Sequence, residues 1–320
     1  MRKAFDLTDR NRQIKGVVAL LKTPFDNDSR LDESSYRRQV RHVIDAGTVL
    51  LLPGMLGCET YCLSPAEREK CIEISLEEAN GRIPVCAAVG GVGIHEVVSA
   101  AQQADKIGAD MIAVIPPPWV TREAEAVQCL MTVAESVQLP VMLHSIYGGP
   151  SNKVLGVGTL VGMVQSHPNV RYMKIEGPRW VRQVRAMQAE AGNILLGMMD
   201  GPNYVMSYRA GCTLFMSAAD VIEPVIAIFE ALNSGDEILA EQIERKILGV
   251  ICFKSYIGGE CTNKVILKRR GIFSDSRLGK PSFFDAPDSL SADEEEQLSK
   301  ALAPLMQYFK QCPPIGVVTT

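Results

Sequence analysis

The chain alternates short apolar runs with amphipathic segments, and this alternation limits its fold more than any other feature. Strand-like runs occupy residues 16–21, 49–52, 85–89, 111–115, 141–144, 170–175, 194–197 and 213–217. Helical spacing of apolar residues marks 34–46, 65–79, 94–107 and 124–136. Strands that are apolar on both faces, each followed by a helix, form parallel sheets covered by helices. Eight such units in about 220 residues predict an α/β fold, a (β/α)8 TIM barrel. A doubly wound open sheet is the alternative, although no Gly-x-Gly-x-x-Gly follows the first run.

More helical pattern follows the eighth run than an eighth barrel helix requires. It covers residues 224–233, 238–256, 263–271 and 292–309, and a loop rich in Ser, Pro, Asp and Gly is predicted at 273–290. We therefore expect a barrel at 1–234 with a short N-terminal extension, and a C-terminal helical appendage at 235–320 packed on the barrel.

Composition excludes several classes of function. A net charge of −4 gives no support to nucleic acid or an anionic membrane as a partner. No apolar run reaches the ~18 residues of a membrane helix, and the first ten residues are too polar for a secretory signal. Nine irregularly spaced cysteines are typical of reduced thiols in the cytoplasm. No metal-ligand spacing occurs, so neither a metal nor a cofactor is expected.

Lys174 is the strongest candidate for chemistry. It lies near the end of the sixth run, and catalytic groups of such barrels sit at the C-terminal ends of strands. Lysine is almost never fully buried without a partner. Desolvation favours its neutral amine, which can attack a ketone and form a Schiff base. The alternative is a lysine that extends its head group to solvent from a strand end.

Four segments of this chain carry a resemblance to a known family. They are residues 16–25, residues 57–64 followed by Glu67 and Arg68, residues 168–176, and residues 211–217. In this order the sequence resembles the dihydrodipicolinate synthase / N-acetylneuraminate lyase superfamily, from about residue 14 to the C-terminal helices. The resemblance implies a TIM barrel, a Schiff base on Lys174, a small 2-keto acid as substrate, and a homotetramer built as a dimer of dimers.

Departures from the family pattern bear on the substrate. Where many members have a Gly-Thr-Thr-Gly-Glu loop that holds the keto-acid carboxylate, residues 54–59 are Gly-Met-Leu-Gly-Cys-Glu, without hydroxyls. Carboxylate binding is therefore expected from backbone N–H groups near Leu56, Gly57 and Cys58.

A second departure concerns the proton relay. His144 stands where most members have the relay tyrosine, and Tyr147 follows three residues later as the fallback relay. The arginine with which the true synthases bind a second carboxylate has no counterpart at 148–150. We therefore reject dihydrodipicolinate synthase itself as the activity.

One branch fits these departures better. The chain is similar to L-2-keto-3-deoxyarabonate dehydratases at residues 173–176, at Asp200 and Gly201, and in the proline run 116–118. That branch has Gln where His144 stands, so the match is incomplete. Dehydration is the preferred reaction, and retro-aldol cleavage of a 2-keto-3-deoxy acid is the alternative. A keto-acid-binding barrel without turnover is the third possibility.

Three further residues complete the predicted site. Glu59 is interpreted as a loop-bracing residue, and a carboxylate stabilised at a helix start or a substrate contact are the alternatives. Asp200 is interpreted as a helix cap, a ligand of a substrate hydroxyl, or both. Ser217, at the end of the eighth run, could orient the lysine or the carboxylate. No Gly-rich phosphate cradle follows the seventh or eighth run, which favours a non-phosphorylated acid.

Overall fold

Eight parallel strands form a closed barrel, as the alternation of the sequence predicts. The computed structural model describes residues 5, 7, 14–117, 119–145, 155–175, 179–191, 195–198, 203–280 and 287–310. Its strands are β1 Gly16–Leu21, β2 Leu50–Pro53, β3 Cys86–Val89, β4 Met111–Val114, β5 Val141–Ser145, β6 Val170–Ile175, β7 Leu195–Met198 and β8 Leu214–Ala218.

The sheet has the spatial order β2-β1-β8-β7-β6-β5-β4-β3, with every hydrogen-bonded neighbour parallel. A parallel bridge between Leu51 and Val85 joins β2 to β3, and the N–H of Leu51 donates to the carbonyl of Pro84 at 3.1 Å. This bridge closes the sheet on itself, so the prediction of a (β/α)8 barrel is confirmed.

Helices cover the outside of the sheet and continue beyond the eighth unit. They are α1 Glu33–Ala46, α2 Pro65–Ala79, α3 Ile94–Ile107, α4 Glu123–Glu135, α5 Val157–Ser166, α6 Trp180–Ala191, α7 Tyr204–Arg209, α8 Ile222–Asn233, α9 Glu237–Ile257, α10 Gly259–Arg269 and α11 Ala292–Leu302. The local sequence explains where two of these helices begin. Asp32 caps α1, and at α2 Ser64 and Glu67 form a capping box with Pro65 in the first helical position. None of the described helices is long and apolar enough to cross a membrane.

Two apolar layers result from the alternation of side chains along each strand. The inner layer fills the barrel and includes Val18, Leu20, Leu50, Leu52, Cys86, Met111, Met142, Tyr172, Leu214 and Met216. The outer layer lies between sheet and helices and includes Ala19, Leu21, Leu51, Leu143, Met173 and Phe215. A residue two positions after an inner-layer residue therefore also faces the barrel axis.

The N-terminal end of the barrel is covered by the start of the chain. Leu7 belongs to the inner layer, and its carbonyl accepts a hydrogen bond from Arg171 Nη1 at 2.9 Å. Asp110 accepts from the N–H of Val85 at 2.8 Å and from that of Phe5 at 3.4 Å. With this end blocked by protein, the C-terminal ends of the strands remain as the face on which a site can form.

Two ion pairs, each with at least one buried carboxylate, join the segments that follow β8. Arg270 pairs with Glu223 of α8, and Lys254 of α9 pairs with Asp220, with Nζ 2.9 Å from Oδ2. The next helix, α10, also contacts the turn at 56–58. The appendage thus reaches the C-terminal face of the barrel, where it supplies two buried charged residues, Glu260 and Lys264.

Candidate functional site

Lys174 lies inside the barrel near the C-terminal end of β6. It follows the inner-layer residue Tyr172 by two positions, so its side chain faces the axis, and it is 2% exposed. In the ladder it is the partner of His144 on β5 and of Gly197 on β7. Its Nζ is 3.0 Å from Nε2 of His144. The two residues singled out in the sequence for nucleophile and proton relay are therefore in direct contact.

His144 is buried and has an unusually weak basicity. Burial first, and then the positive charge of Lys174, hold the pKa of His144 well below its usual range. The imidazole is therefore uncharged at neutral pH. A single proton between Nζ of Lys174 and Nε2 of His144 is then enough for the hydrogen bond that joins them. A neutral ring at hydrogen-bond distance from an amine can accept a proton from it and return the proton later.

The β2 loop, residues 54–59, forms a 3-10 turn at Leu56–Cys58. The N–H of Cys58 donates to the carbonyl of Met55 at 2.9 Å, and the N–H of Glu59 donates to that of Leu56 at 3.0 Å. The first N–H groups of a helical turn have no partner within the turn. Of the three residues predicted to bind the carboxylate, Leu56 and Gly57 therefore keep an N–H outside the hydrogen bonds of the turn. The expectation of carboxylate binding by the backbone narrows to these two residues, because the N–H of Cys58 is engaged.

Glu59 holds the β2 loop to the C-terminal segment. Its backbone is left-handed, with φ 60°, and its side chain is buried. Oε2 is 2.5 Å from Nζ of Lys264 on α10, and Oε1 accepts from the N–H of Gly279 at 2.8 Å. Both oxygens are thus occupied by protein groups, a geometry that favours the bracing interpretation over a substrate contact.

Lys22 is a buried lysine of this face that the sequence reasoning did not select. It follows β1 directly and is 5% exposed. Its Nζ donates to the carbonyl of Gly57, and Oγ1 of the adjacent Thr23 donates to the carbonyl of Cys58 at 2.5 Å. The signal that would have found it is alternation: Val18 and Leu20 face the axis, and Lys22 is the next residue in that series.

Ser217 lies near the end of β8, as expected, on the outer face of the sheet. Its position on β8 is two residues after Phe215, which packs in the outer layer, and its hydroxyl donates to the carbonyl of Ala218 at 3.1 Å. The alternation of β8 therefore directs Ser217 towards the helices. This position argues against the predicted role in orienting the lysine or the carboxylate.

Two predicted site residues, Tyr147 and Asp200, lie outside the described residues.

A cavity of about 590 Å³ lies beside the β2 loop, but Lys174 does not line it. It is lined by α2, α3 and the segments that follow β2, β3 and β4, among them Tyr61, Arg68, Val92 and Trp119. Neither Lys174 nor His144 is among the residues that line it.

A buried lysine that faces the barrel axis and contacts a histidine at the C-terminal ends of the strands is the arrangement that a Schiff-base enzyme with a barrel fold requires. The model of the dihydrodipicolinate synthetase family matches residues 13–303. The chain belongs to this family, and it is an enzyme of this family of Schiff-base lyases, as the four sequence segments indicated.

Curated relatives cover most of the chain. The 4-hydroxy-tetrahydrodipicolinate synthase of Rhizobium meliloti is 27% identical over 284 residues, which are 88% of this chain and 93% of the relative. That of Syntrophotalea carbinolica is 27% identical over 240 residues, 73% of this chain and 80% of the relative. A DapA-like lyase of Halobacterium salinarum is 28% identical over 230 residues, 70% and 73% of the two chains.

Solved structures share the fold. The 4-hydroxy-tetrahydrodipicolinate synthase of Methylacidiphilum fumariolicum SolV superposes with a TM-score of 0.84 at 21% identity, covering 92% of this chain and 97% of the other. YagE, a prophage protein of the dihydrodipicolinic acid synthase family from E. coli K12 in complex with pyruvate, gives a TM-score of 0.82 at 21% identity, covering 93% and 100%. At these identities the likeness describes the barrel and not the substrate.

Proposed function

We propose that the protein is a Schiff-base lyase for a non-phosphorylated 2-keto-3-deoxy sugar acid, with Lys174 as the nucleophile and His144 as its proton relay. The observation that carries this proposal is the buried contact between Lys174 Nζ and His144 Nε2, 3.0 Å long, at the catalytic face of the barrel.

The reaction begins at the keto carbon. The neutral amine of Lys174 attacks C2, and its surplus proton passes through His144 to the carbinolamine oxygen. With a second proton from solvent this oxygen leaves as water, which gives a protonated imine and leaves His144 neutral. This imine withdraws electrons from C3, so a proton leaves C3 and an enamine forms. Neutral His144 is in place to accept that proton and to deliver it to a leaving oxygen. No step in this sequence requires a metal or an organic cofactor.

Dehydration is the preferred outcome. The enamine electrons expel the C4 hydroxyl, which departs as water after protonation by the relay, and hydrolysis of the imine frees Lys174. The similarity of residues 173–176 and 200–201 to the dehydratase branch supports this outcome. The absence of an arginine at 148–150 supports a substrate other than that of the synthases whose names the curated relatives bear.

Retro-aldol cleavage is the second candidate. Here the C4 hydroxyl gives up its proton, the imine accepts the electrons of the C3–C4 bond, and an aldehyde departs. The remaining enamine takes up a proton at C3 to form the imine of pyruvate, and hydrolysis of this imine yields pyruvate and frees Lys174. The pyruvate complex of YagE supports keto-acid binding as the property common to both candidates.

Borohydride trapping tests the nucleophile. Reduction in the presence of pyruvate should add a reduced pyruvyl group at Lys174. Lys174→Ala should remain unlabelled because it has no amine, and Lys174→Arg should remain unlabelled because a guanidinium stays protonated. Lys106→Ala, which changes an exposed lysine, is the matched control and should label normally. Undiminished labelling of Lys174→Ala would refute the proposal. Product analysis on 2-keto-3-deoxy acids separates dehydration from cleavage, and labelling without any turnover would indicate a binding protein.

Assembly as a cytoplasmic homotetramer, a dimer of dimers, is also proposed. Val92 and Trp119, at the rim of the 590 Å³ cavity, are more than half exposed. They offer apolar surface that a subunit interface would cover.

A further inference from the structure

We infer that Lys22 binds the carboxylate of the keto acid and determines the preference of the site for anionic ketones. The inference rests on the proposed function and deepens it. The β2 loop lacks the hydroxyl groups with which many family members bind the carboxylate, and the lysine that follows β1 is assigned that interaction.

The first support is the direction of the side chain. Val18 and Leu20 belong to the inner layer, and Lys22 continues their series at the C-terminal end of β1. Lys174 and His144 occupy the corresponding positions on β6 and β5. Three polar side chains therefore enter the same end of the barrel, and Lys22 does so while almost fully buried. Burial of an ammonium is costly unless it interacts with polar groups or a counter-ion.

The second support is the fixed backbone of Lys22. Its N–H donates to Oε1 of Gln39 at 2.9 Å, and Nε2 of the same side chain donates to its carbonyl at 2.8 Å. Gln39 belongs to α1 and is completely buried. This pair of hydrogen bonds sets the position from which the lysine side chain extends, which is the kind of support that binding residues need.

The third support is the place where the side chain ends. Nζ of Lys22 donates to the carbonyl of Gly57, a residue whose N–H is outside the hydrogen bonds of the 3-10 turn. A Cβ added to Gly57 would lie 3.9 Å from this Nζ and 3.8 Å from Oε1 of Glu260. An ammonium has three N–H donors, so it can hold a carbonyl and a ligand oxygen together.

The fourth support is the relation of Lys22 to Lys174. Burial raises the pKa of the Cys58 thiol, and Lys22 and Lys174 both act to lower it, which places both amines near one inward residue. Two buried carboxylates also lie near this thiol. One is Glu59, which is paired with Lys264, and the other is Glu260 on α10. In a 2-keto acid the carboxylate is bonded to the carbon that Lys174 attacks. The carboxylate of the bound keto acid must therefore lie close to the nucleophile, and this is where a cation such as Lys22 can hold it.

The test compares pyruvate with pyruvamide, a neutral ligand of similar shape, in borohydride trapping at Lys174. In the wild type, pyruvate should reach half-maximal labelling at a much lower concentration than pyruvamide. Lys22→Met should raise the value for pyruvate by about 10- to 100-fold, the range of a hydrogen bond to a charged group, and leave pyruvamide within about twofold. Lys15→Met, which removes an exposed charge just before β1, should change neither value.

Lys22→Gln provides the second variant, because its amide can still donate to the carbonyl of Gly57 while the charge is gone. It should lose the preference for pyruvate as Lys22→Met does. Equal changes for both ligands in a folded variant, or an unchanged value for pyruvate, would overturn the role of Lys22. Failure of the wild type to label with either ligand would instead overturn the proposed function, and labelling of Lys22 in place of Lys174 would overturn both.

Discussion

Replacing Glu59 by glutamine should destabilise the protein strongly, because it leaves the ammonium of Lys264 buried without its counter-ion. The two side chains are 0% and 1% exposed, and their charged atoms are 2.5 Å apart. Glutamine keeps the shape of the side chain and an oxygen that can accept from the N–H of Gly279. The change therefore isolates the loss of charge. Breaking a buried pair in this way costs about 3–5 kcal/mol.

Two contacts of Lys264 remain in the variant and place the expected loss at the lower end, about 3 kcal/mol. Its Nζ donates to the carbonyl of Arg277 at 2.9 Å and lies 4.4 Å from the centre of the Phe25 ring. The double variant Glu59→Gln/Lys264→Met removes both charges and keeps the volume. It should recover most of the lost stability, since apolar replacement of a buried pair is often neutral.

Urea denaturation of the four proteins of this double-mutant cycle measures the effect. Lys280→Met is the control, because its pair with Asp288 is exposed and should contribute less than about 1 kcal/mol. A loss below about 1 kcal/mol in Glu59→Gln, or a double variant as unstable as the single ones, would refute the assignment of a tightly coupled buried pair.

The same variant should have a distinctive dependence on pH. Burial lowers the pKa of Lys264, and Glu59 opposes this by raising it. Without Glu59 the pKa falls further below its unfolded value, so between the two values the unfolded chain binds more protons. Stability then rises with pH in that window. The deficit of Glu59→Gln should therefore shrink as the pH is raised from 7 towards 10.

Three further predictions concern the relay, the backbone and the assembly. His144→Phe should still be trapped by borohydride but turn over about 10²–10⁴ times more slowly, and Tyr147→Phe should be milder; the reverse order in steady-state assays would assign the relay to Tyr147. Gly54→Ala should destabilise by about 1–3 kcal/mol, because φ is +88° and the new Cβ would lie 3.1 Å from the Ala88 carbonyl oxygen. By contrast Gly162→Ala, in the interior of α5 with nothing near the new Cβ, should stabilise the protein by about 0.5–1 kcal/mol in thermal melts. Sedimentation should give a tetramer, and a monomer at micromolar concentration would contradict the proposed assembly.

Strands were predictable from the sequence because their apolar runs are short and separated by polar helices. The bounds of β1 and β6 agree with the prediction to the residue, and the other strands differ by a residue at one or both ends. The contact of Lys174 with His144 followed from the same pattern, since neighbouring parallel strands end side by side.

Helix ends without local signals were predicted less well. The start of α10 was expected at 263, but the helix begins at Gly259, directly after α9 and without a side-chain cap. The last helix was expected to run through 292–309. It ends at Leu302 and continues as a 3-10 turn over Ala303–Tyr308, where Pro304 lacks the N–H that an α-helix requires.

Long-range partners could not be predicted at all. Glu59 was ambiguous in sequence because its partners, Lys264 and Gly279, lie far along the chain and meet it only in the folded protein. Lys22 was missed because a lysine after an apolar run is usually a solvated strand end. Its burial depends on α1 and the β2 loop together.

The single bridge that closes the barrel between β2 and β3 makes this seam the thinnest ladder among the described strands. Amide protons along it should exchange with deuterium sooner than those of the β5–β6 ladder, where five residue pairs are joined, with a register shift between Val141 and Met142. The seam borders the β2 loop, so we expect local opening there to move the loop while the β5–β6 ladder, which carries Lys174 and His144, stays paired. Opening at the seam would then leave the contact between Lys174 and His144 undisturbed.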